Sequence, residues 1–388
     1  MKLQVESLIK QEIEHVFGRR IVSSRDCIQL CDEIFNRTKL QLNPNTLRRF
    51  FGLVKAEYPA SYSTLTILSK YCGFQSVDEM KTINKEDSPE DTNHDNFLYF
   101  LVSLFRNIDV KDAEDKTFLS VALNTIHFLN RNPSLADKFQ IQIAKTQNGQ
   151  EFYFEKFVNI DRLNGYYGNG LRYYYTEKPI ARAQVFAHSL LVYRYWLTNN
   201  REMLNQHFKI LSRQNINSLI PPFIYGRYWA AMIYHAGINS LCTESIRVNA
   251  YNYYSSISKN QAISSFPRFE LYMAEALILT GHFEEGLYYI EQAKKKYPEK
   301  EDYTLWKFFQ NFLLLEAIVL CKTKRNIAAE EQFNKINPIH FYFLRKSFSN
   351  ILYLLLTEQL KKRQSPKHPE QLDNLMQETG FSRLGSIF

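Results

Sequence analysis

The residues with the clearest chemical potential lie together: Asn45, Thr46, Arg48 and Arg49, in the stretch PNTLRRFF at positions 44–51. A guanidinium can fork onto the acceptors of guanine and an amide can pair with adenine, so a short helix presenting these side chains suits the groove of a duplex. They suit a solvated helix face equally, the commoner fate of charge pairs on helices. Three cysteines, Cys27, Cys31 and Cys72, could be imagined around a metal, but no histidine accompanies them and all three fall at apolar positions of helical periodicity, which predicts core packing and no metal. The neighbouring carboxylates Glu284 and Glu285 stand near Lys294–Lys296, a pattern explained by solvation and helix-end charge. The chain has no GxxxxGK[ST], GxGxxG, HExxH or GxSxG, and its nine histidines are scattered singly, so neither an enzyme nor a bound cofactor is expected.

Positioning Asn45–Arg49 requires a small scaffold. Cys27, Leu30, Cys31, Ile34 and Phe35 recur at helical spacing and predict one buried stripe on a helix that begins at Ser24. Asn43 is a good cap, Pro44 suits the first helical position, and Gly52 can adopt the left-handed backbone that ends a helix, so PNTLRRFF is a helix of barely two turns with Leu47 and Phe50 or Phe51 inward. A third helix opens at Ser63, carries Leu65, Leu68 and Cys72 inward and closes at Gly73, after which Ser76 caps a short VDEM turn.

This order of helices resembles the Cro/C1-like, XRE-type helix-turn-helix domains, notably a bacterial variant with Thr46, Leu47, Arg48, Arg49, Phe51 and Gly52 in its recognition helix. Tyr62, Thr64, Leu65, Leu68, Tyr71, Gly73, Phe74 and Ser76 then match the next helix. The resemblance covers about residues 24–80 and implies DNA binding by Asn45, Thr46, Arg48 and Arg49, with Lys39, Lys55, Arg19 and Arg20 on flanking phosphates. The segment RTKLQLN departs from the family's compact small-residue turn. The first 83 positions hold 12 basic and 9 acidic residues, a small excess that makes non-specific binding salt-sensitive and a homodimer the expected DNA-binding form.

The whole chain of 388 residues carries 48 basic against 40 acidic side chains, and its 13 Gly and 12 Pro against 29 Phe and 25 Tyr favour long helices, hence an all-α fold. Five cysteines without framework spacing fit a reducing compartment. Apolar runs such as Phe312–Leu315 and Ile351–Leu356 are too short for a membrane span, and Met1–Phe17 lacks a secretory leader's pattern, so a cytoplasmic location is expected. The segment NKEDSPEDTNHDN at 84–96 has no apolar side chain and reads as a linker. It separates a head, 1–83, from helical stretches at 97–180 and a repeat region at 181–388.

In that region, ELYMAEALILTGHFEEGLYYIEQAKKKYP at 270–298 alternates two amphipathic helices around a glycine turn. Gly281, Phe283, Gly286, Ala293 and Pro298 resemble the tetratricopeptide repeat, most clearly over 267–300. Weaker hairpins are expected around TNNRE, GINS, KTKRN and KRQSPKHP, with starts about 37–44 residues apart, stacked as a right-handed tetratricopeptide-like solenoid. The Tyr- and Gly-rich segment Asn159–Lys178 reads as a packed loop or hairpin in preference to a ligand clamp. The combination is similar to peptide-sensing transcription regulators whose repeat body binds a short peptide on its concave face. The other expectation is an adaptor that binds proteins only, its head no longer holding DNA.

Overall fold

The computed structural model describes residues 9–55 apart from 11, 15 and 18, then 60–74, 89–110, 115–216, 220–257, 267–296, 303–360 and 368–388; side chains at 89–95, 303–308 and 368–369 are outside this description. The fold is all-α, with no strand among the described residues. The chain divides into two compact units, residues 1–97 and 98–388.

In the first unit, α1 (Ser24–Thr38) starts at a capping box: the Ser23 hydroxyl accepts from the Asp26 amide while the Asp26 carboxylate accepts from the Ser23 amide at 2.9 Å. The Ser23 hydroxyl also donates to Asp26 and holds its carboxyl below the usual carboxylate range. Helix α2 (Pro44–Phe50) is capped by Asn43, whose side chain accepts from the Asn45 amide at 2.8 Å. It ends in a left-handed Gly52 (φ 78°), which lets the Leu53 amide bond back to the Arg48 carbonyl at 2.8 Å. Helix α3 (Tyr62–Tyr71) closes in the same way at Gly73.

The core of this unit is Cys27, Leu30 and Ile34 of α1, Leu47 and Phe50 of α2, and Leu68 and Tyr71 of α3, joined by Ile9, Ile13 and Ile21. Tyr71 donates to Glu33 at 2.8 Å, with Arg37 over its ring, tying α3 to α1. Three expectations are corrected. Phe35 is 48% exposed, because the buried stripe narrows after Ile34 and Lys39 lies over the Phe35 ring instead. The third helix starts at Tyr62 with Ser61 as its cap, and it buries Leu68 and Tyr71 more fully than Leu65 or Cys72. The Ser76 turn and residues 84–88 of the expected linker lie outside the described residues, while 89–96 of that linker begin α4 (Pro89–Asn107), with Pro89 at the helical position where its missing N–H is no loss.

The second unit opens with the rest of α4, then α5 (Lys116–Arg131), α6 (Pro133–Ile143), a π-helical turn at Gly149–Lys156 and α7 (Tyr166–Glu177). Thus the Tyr/Gly segment is largely a helix, not a loop. Gly168 and Gly170 permit it, since a Cβ on Gly170 would fall on the Gln140 side chain. Tyr167 and Tyr174 are buried, the latter donating to Glu155 at 2.6 Å, and Lys178 and Arg182 neutralise the same buried carboxylate.

Helical hairpins follow: α8 (Ala181–Leu197) with α9 (Arg201–Leu211), α10 (Pro222–Ile238) with α11 (Glu244–Ile257), α12 (Arg268–Leu279) with α13 (Phe283–Lys296), and α14 (Tyr303–Lys322) with α15 (Asn326–Phe333). Successive first helices pack against one another, α8 on α10, α10 on α12 and α12 on α14. Each turn has one left-handed residue, Asn199, Ser240, Gly281 and Lys324, at intervals of 41, 41 and 43 positions. At each, the next amide bonds back to a carbonyl five residues earlier: Asn200 to Tyr195, Leu241 to Ala236, His282 to Leu277 and Arg325 to Leu320, all at 2.8–2.9 Å. In the clearest hairpin, Ala274 and Ala293 are fully buried, and a Cβ on Gly286 would stand 2.5 Å from Ile278 Cγ1, so the helices approach as closely as the small residues allow.

The chain ends with α16 (Lys346–Leu360), α17 (His368–Thr379) and a 3₁₀ turn at Ser382–Ser386; the KRQSPKHP turn lies largely outside the described residues. Asp161 caps α16, accepting from the Ser347 and Phe348 amides at 2.8 and 2.9 Å across more than 180 residues of sequence. Arg345 is buried against Glu275, which also accepts from Tyr193 at 2.8 Å. The tyrosines expected at helix contacts mostly occupy them: Tyr254 and Tyr289 are buried edge to face, Tyr253 stacks on Tyr225, and Tyr251 stays half exposed against Tyr288.

Candidate nucleic-acid interface

Leu47 and Phe50 seat α2 on the core, which leaves the other side of its two turns outward. Asn45 and Arg49 are exposed; Thr46 and Arg48 are half buried. The side chains are not equivalent. Arg48 Nη1 donates to Asn45 Oδ1 at 2.9 Å, and its Nε is buried without a partner, so this guanidinium lies along the helix with part of its fork already used. Among the described residues Arg49 has no side-chain partner, and its fork is available in full.

The flanking cations divide similarly. Lys39 and Lys55 are exposed on the two connections that bracket α2. Lys39 ends α1 with φ 61°, in the left-handed region, and thereby turns the chain within five residues from α1 to Asn43 and Pro44. A lysine does not announce that conformation, so the tightness of this connection was missed; the turn is made without the small residue whose lack stood out in RTKLQLN. Arg19 is exposed but pairs with Asp26 at 3.1 Å and donates to Gln29, which commits it to the start of α1, while Arg20 is exposed.

The cysteines of this unit do not supply a nucleophile. Burial raises the Cys31 thiol to about 11 and Cys72 to about 12, and Cys27 also lies above the usual thiol range. Among the described residues no group of three or more His, Cys, Asp or Glu side chains gathers as a metal site would require. Glu285 pairs with Arg247 and Glu284 is exposed. No helix among the described residues is long and apolar enough to cross a membrane.

In the second unit, the faces of the first helices, where a peptide was expected, are met by the chain's own later residues. Arg345 pairs with Glu275 of α12, Phe348 packs edge to face on Tyr193 of α8, and Arg383 lies over the Trp196 ring. No protein-family model matches the chain, and no curated protein or solved structure is significantly similar to it.

Proposed function

We propose that this chain is a non-enzymatic transcription regulator of the cytoplasm, whose first unit holds double-stranded DNA and whose hairpin body serves sensing and homodimerisation. The observation that carries the reading is the seating of α2: two apolar side chains fix it, and Asn45, Thr46, Arg48 and Arg49 are left on its outer side with Lys39 and Lys55 beside them. Arg49 would make the first base contact, Arg48 and Asn45 a coupled pair, and the lysines phosphate contacts that position without specifying. A peptide laid along the first helices of the body would compete with Arg345, Phe348 and Arg383 for the same surface.

The test is a mobility-shift selection with genomic fragments at roughly 50 and 200 mM salt, using the full chain and Arg48→Ala plus Arg49→Ala. The proposal expects salt-dependent, sequence-selective complexes that the double change weakens at least tenfold while leaving the fold intact. A second reading, a protein-binding adaptor, is favoured by Ile28 and Phe35, exposed one above the other on α1. Binding to no fragment at either salt concentration decides for it.

A further inference from the structure

A cavity of about 280 Å³ lies where the first helices of four hairpins run into their turns. Trp196 of α8, Ile278 of α12 and Ile318 of α14 supply apolar wall, and Arg383 and Ile387 of the final turn close one side. Lys322 and Arg383 are the charged lining residues, and no carboxylate lines the cavity.

Two cations at helix C-termini are ordinarily explained by the carbonyls there. Here those carbonyls are already satisfied: the turn amides bond back to Trp196, Gly237, Leu277 and Ile278, and the Thr280 hydroxyl bonds to Ala276. Among the described residues Arg383 has no carboxylate partner and donates to Asn199 Oδ1, while Lys322 donates to the Ile387 carbonyl and to the main-chain oxygen of Phe388, whose ring lies over the ammonium, and keeps one N–H for a further acceptor. A guanidinium with five N–H groups retains donors after the bond to Asn199. A third donor stands with them. Trp196 is 1% exposed, yet its indole N–H has no partner, and a buried donor left unmade is uncommon.

We propose that this cavity is a binding site for a small amphipathic monocarboxylate, its oxygens received by Lys322, Arg383 and the Trp196 indole N–H and its apolar body by Ile278, Ile318 and Ile387. The volume falls just below the roughly 300–1,000 Å³ of pockets for drug-sized ligands, which selects a small molecule or the terminal residues of a peptide. The site belongs to the body alone and does not depend on what the first unit binds.

The probe is octanoate, read by the indole ¹H–¹⁵N signals of labelled full-length protein. The chain has three tryptophans, and Trp196→Phe identifies the signal concerned. Octanoate is expected to move that signal downfield and to saturate, whereas octylammonium and 1-octanol leave it in place. Lys322→Gln is expected to weaken octanoate at least tenfold with an unchanged melting curve; Arg383→Gln serves if that variant does not fold. N-acetyl-leucyl-leucine and its amide form a second pair. An acid that outcompetes octanoate points to a peptide terminus, and a weaker one to a free acid. A Trp196 signal unmoved by millimolar octanoate, an equal response to octanol, or full affinity in the folded Lys322→Gln protein overturns the proposal.

Discussion

The two units treat polar groups in opposite ways. Around α2 the first unit leaves Asn45 and Arg49 exposed and Arg48 half buried, and its buried side chains are mostly apolar, with Asp26, Thr64 and Ser69 the exceptions among the described residues. The second sinks charges into its interior: Glu155 between Tyr174, Lys178 and Arg182, Glu270 between Tyr254 and Lys296, Glu275 between Tyr193 and Arg345. Surface cations can be traded for solvent at little cost and so are free to meet a partner. Buried pairs cannot be separated without leaving a charge stranded, so they lock particular helices together.

The sharpest way to break that contrast is to strand one charge. Glu275→Gln leaves the Arg345 guanidinium buried without its counter-ion, and a loss of about 3–5 kcal/mol is expected in denaturant unfolding. The paired change Glu275→Leu with Arg345→Met should cost much less, because both charges leave together. Arg48→Ala plus Arg49→Ala should fall within about 0.5 kcal/mol of the parent. A loss comparable to that of Glu275→Gln would mean that α2 is a structural face and the contrast is false.

Acid should also distinguish the units. His188 and His207 face each other at 3.0 Å between Nδ1 atoms, packed against Tyr175 and Tyr195, with Arg194 adding positive charge. Burial pushes both imidazoles down to about 4. The unfolded chain therefore takes up protons between about 6.5 and 4 that the folded body does not. The stability of the body is full above the ordinary histidine range and falls as the pH drops through that window. The first unit has no such pair among its described residues, and Asp26, held below the usual carboxylate range, loses its contribution only as the pH falls past that of an ordinary aspartate. Melting curves from pH 7 to 4 should shift for the body first, and His188→Phe should flatten its slope.

Smaller effects come from close packing and turn shape. Gly286→Ala drives a methyl into Ile278 and is expected to cost about 1–3 kcal/mol by thermal denaturation. Lys324→Gly removes a side chain from a left-handed residue and should stabilise the body, by at most about 1 kcal/mol. No gain there would mean that the lysine stem repays its own strain.

These turns also explain what could and could not be read from the amino-acid order. Helix content, the seating of α2 and the hairpin at Gly281 were legible because each has its usual chemical signature: periodic apolar residues, an Asn-Pro start, a glycine stop. The neighbouring hairpins were visible only as alternating amphipathic stretches, since Asn199, Ser240 and Lys324 fill the left-handed position where glycine would have marked it. Lys39 hid the connection before α2 in the same way. The acidic stretch before Phe97 concealed a helix start, because a lack of apolar side chains does not stop a backbone from winding. The union of Trp196, Lys322 and Arg383 could not be found at all, as the three lie far apart in sequence and meet only through packing.

A bend held by amide-to-carbonyl brackets tolerates almost any letter at its apex. Hairpins built this way can differ in composition while keeping step, and what they share is a ruler: a left-handed residue about every forty-one positions. Sequences with the same metre but unrelated wording are where kin of this chain should be sought.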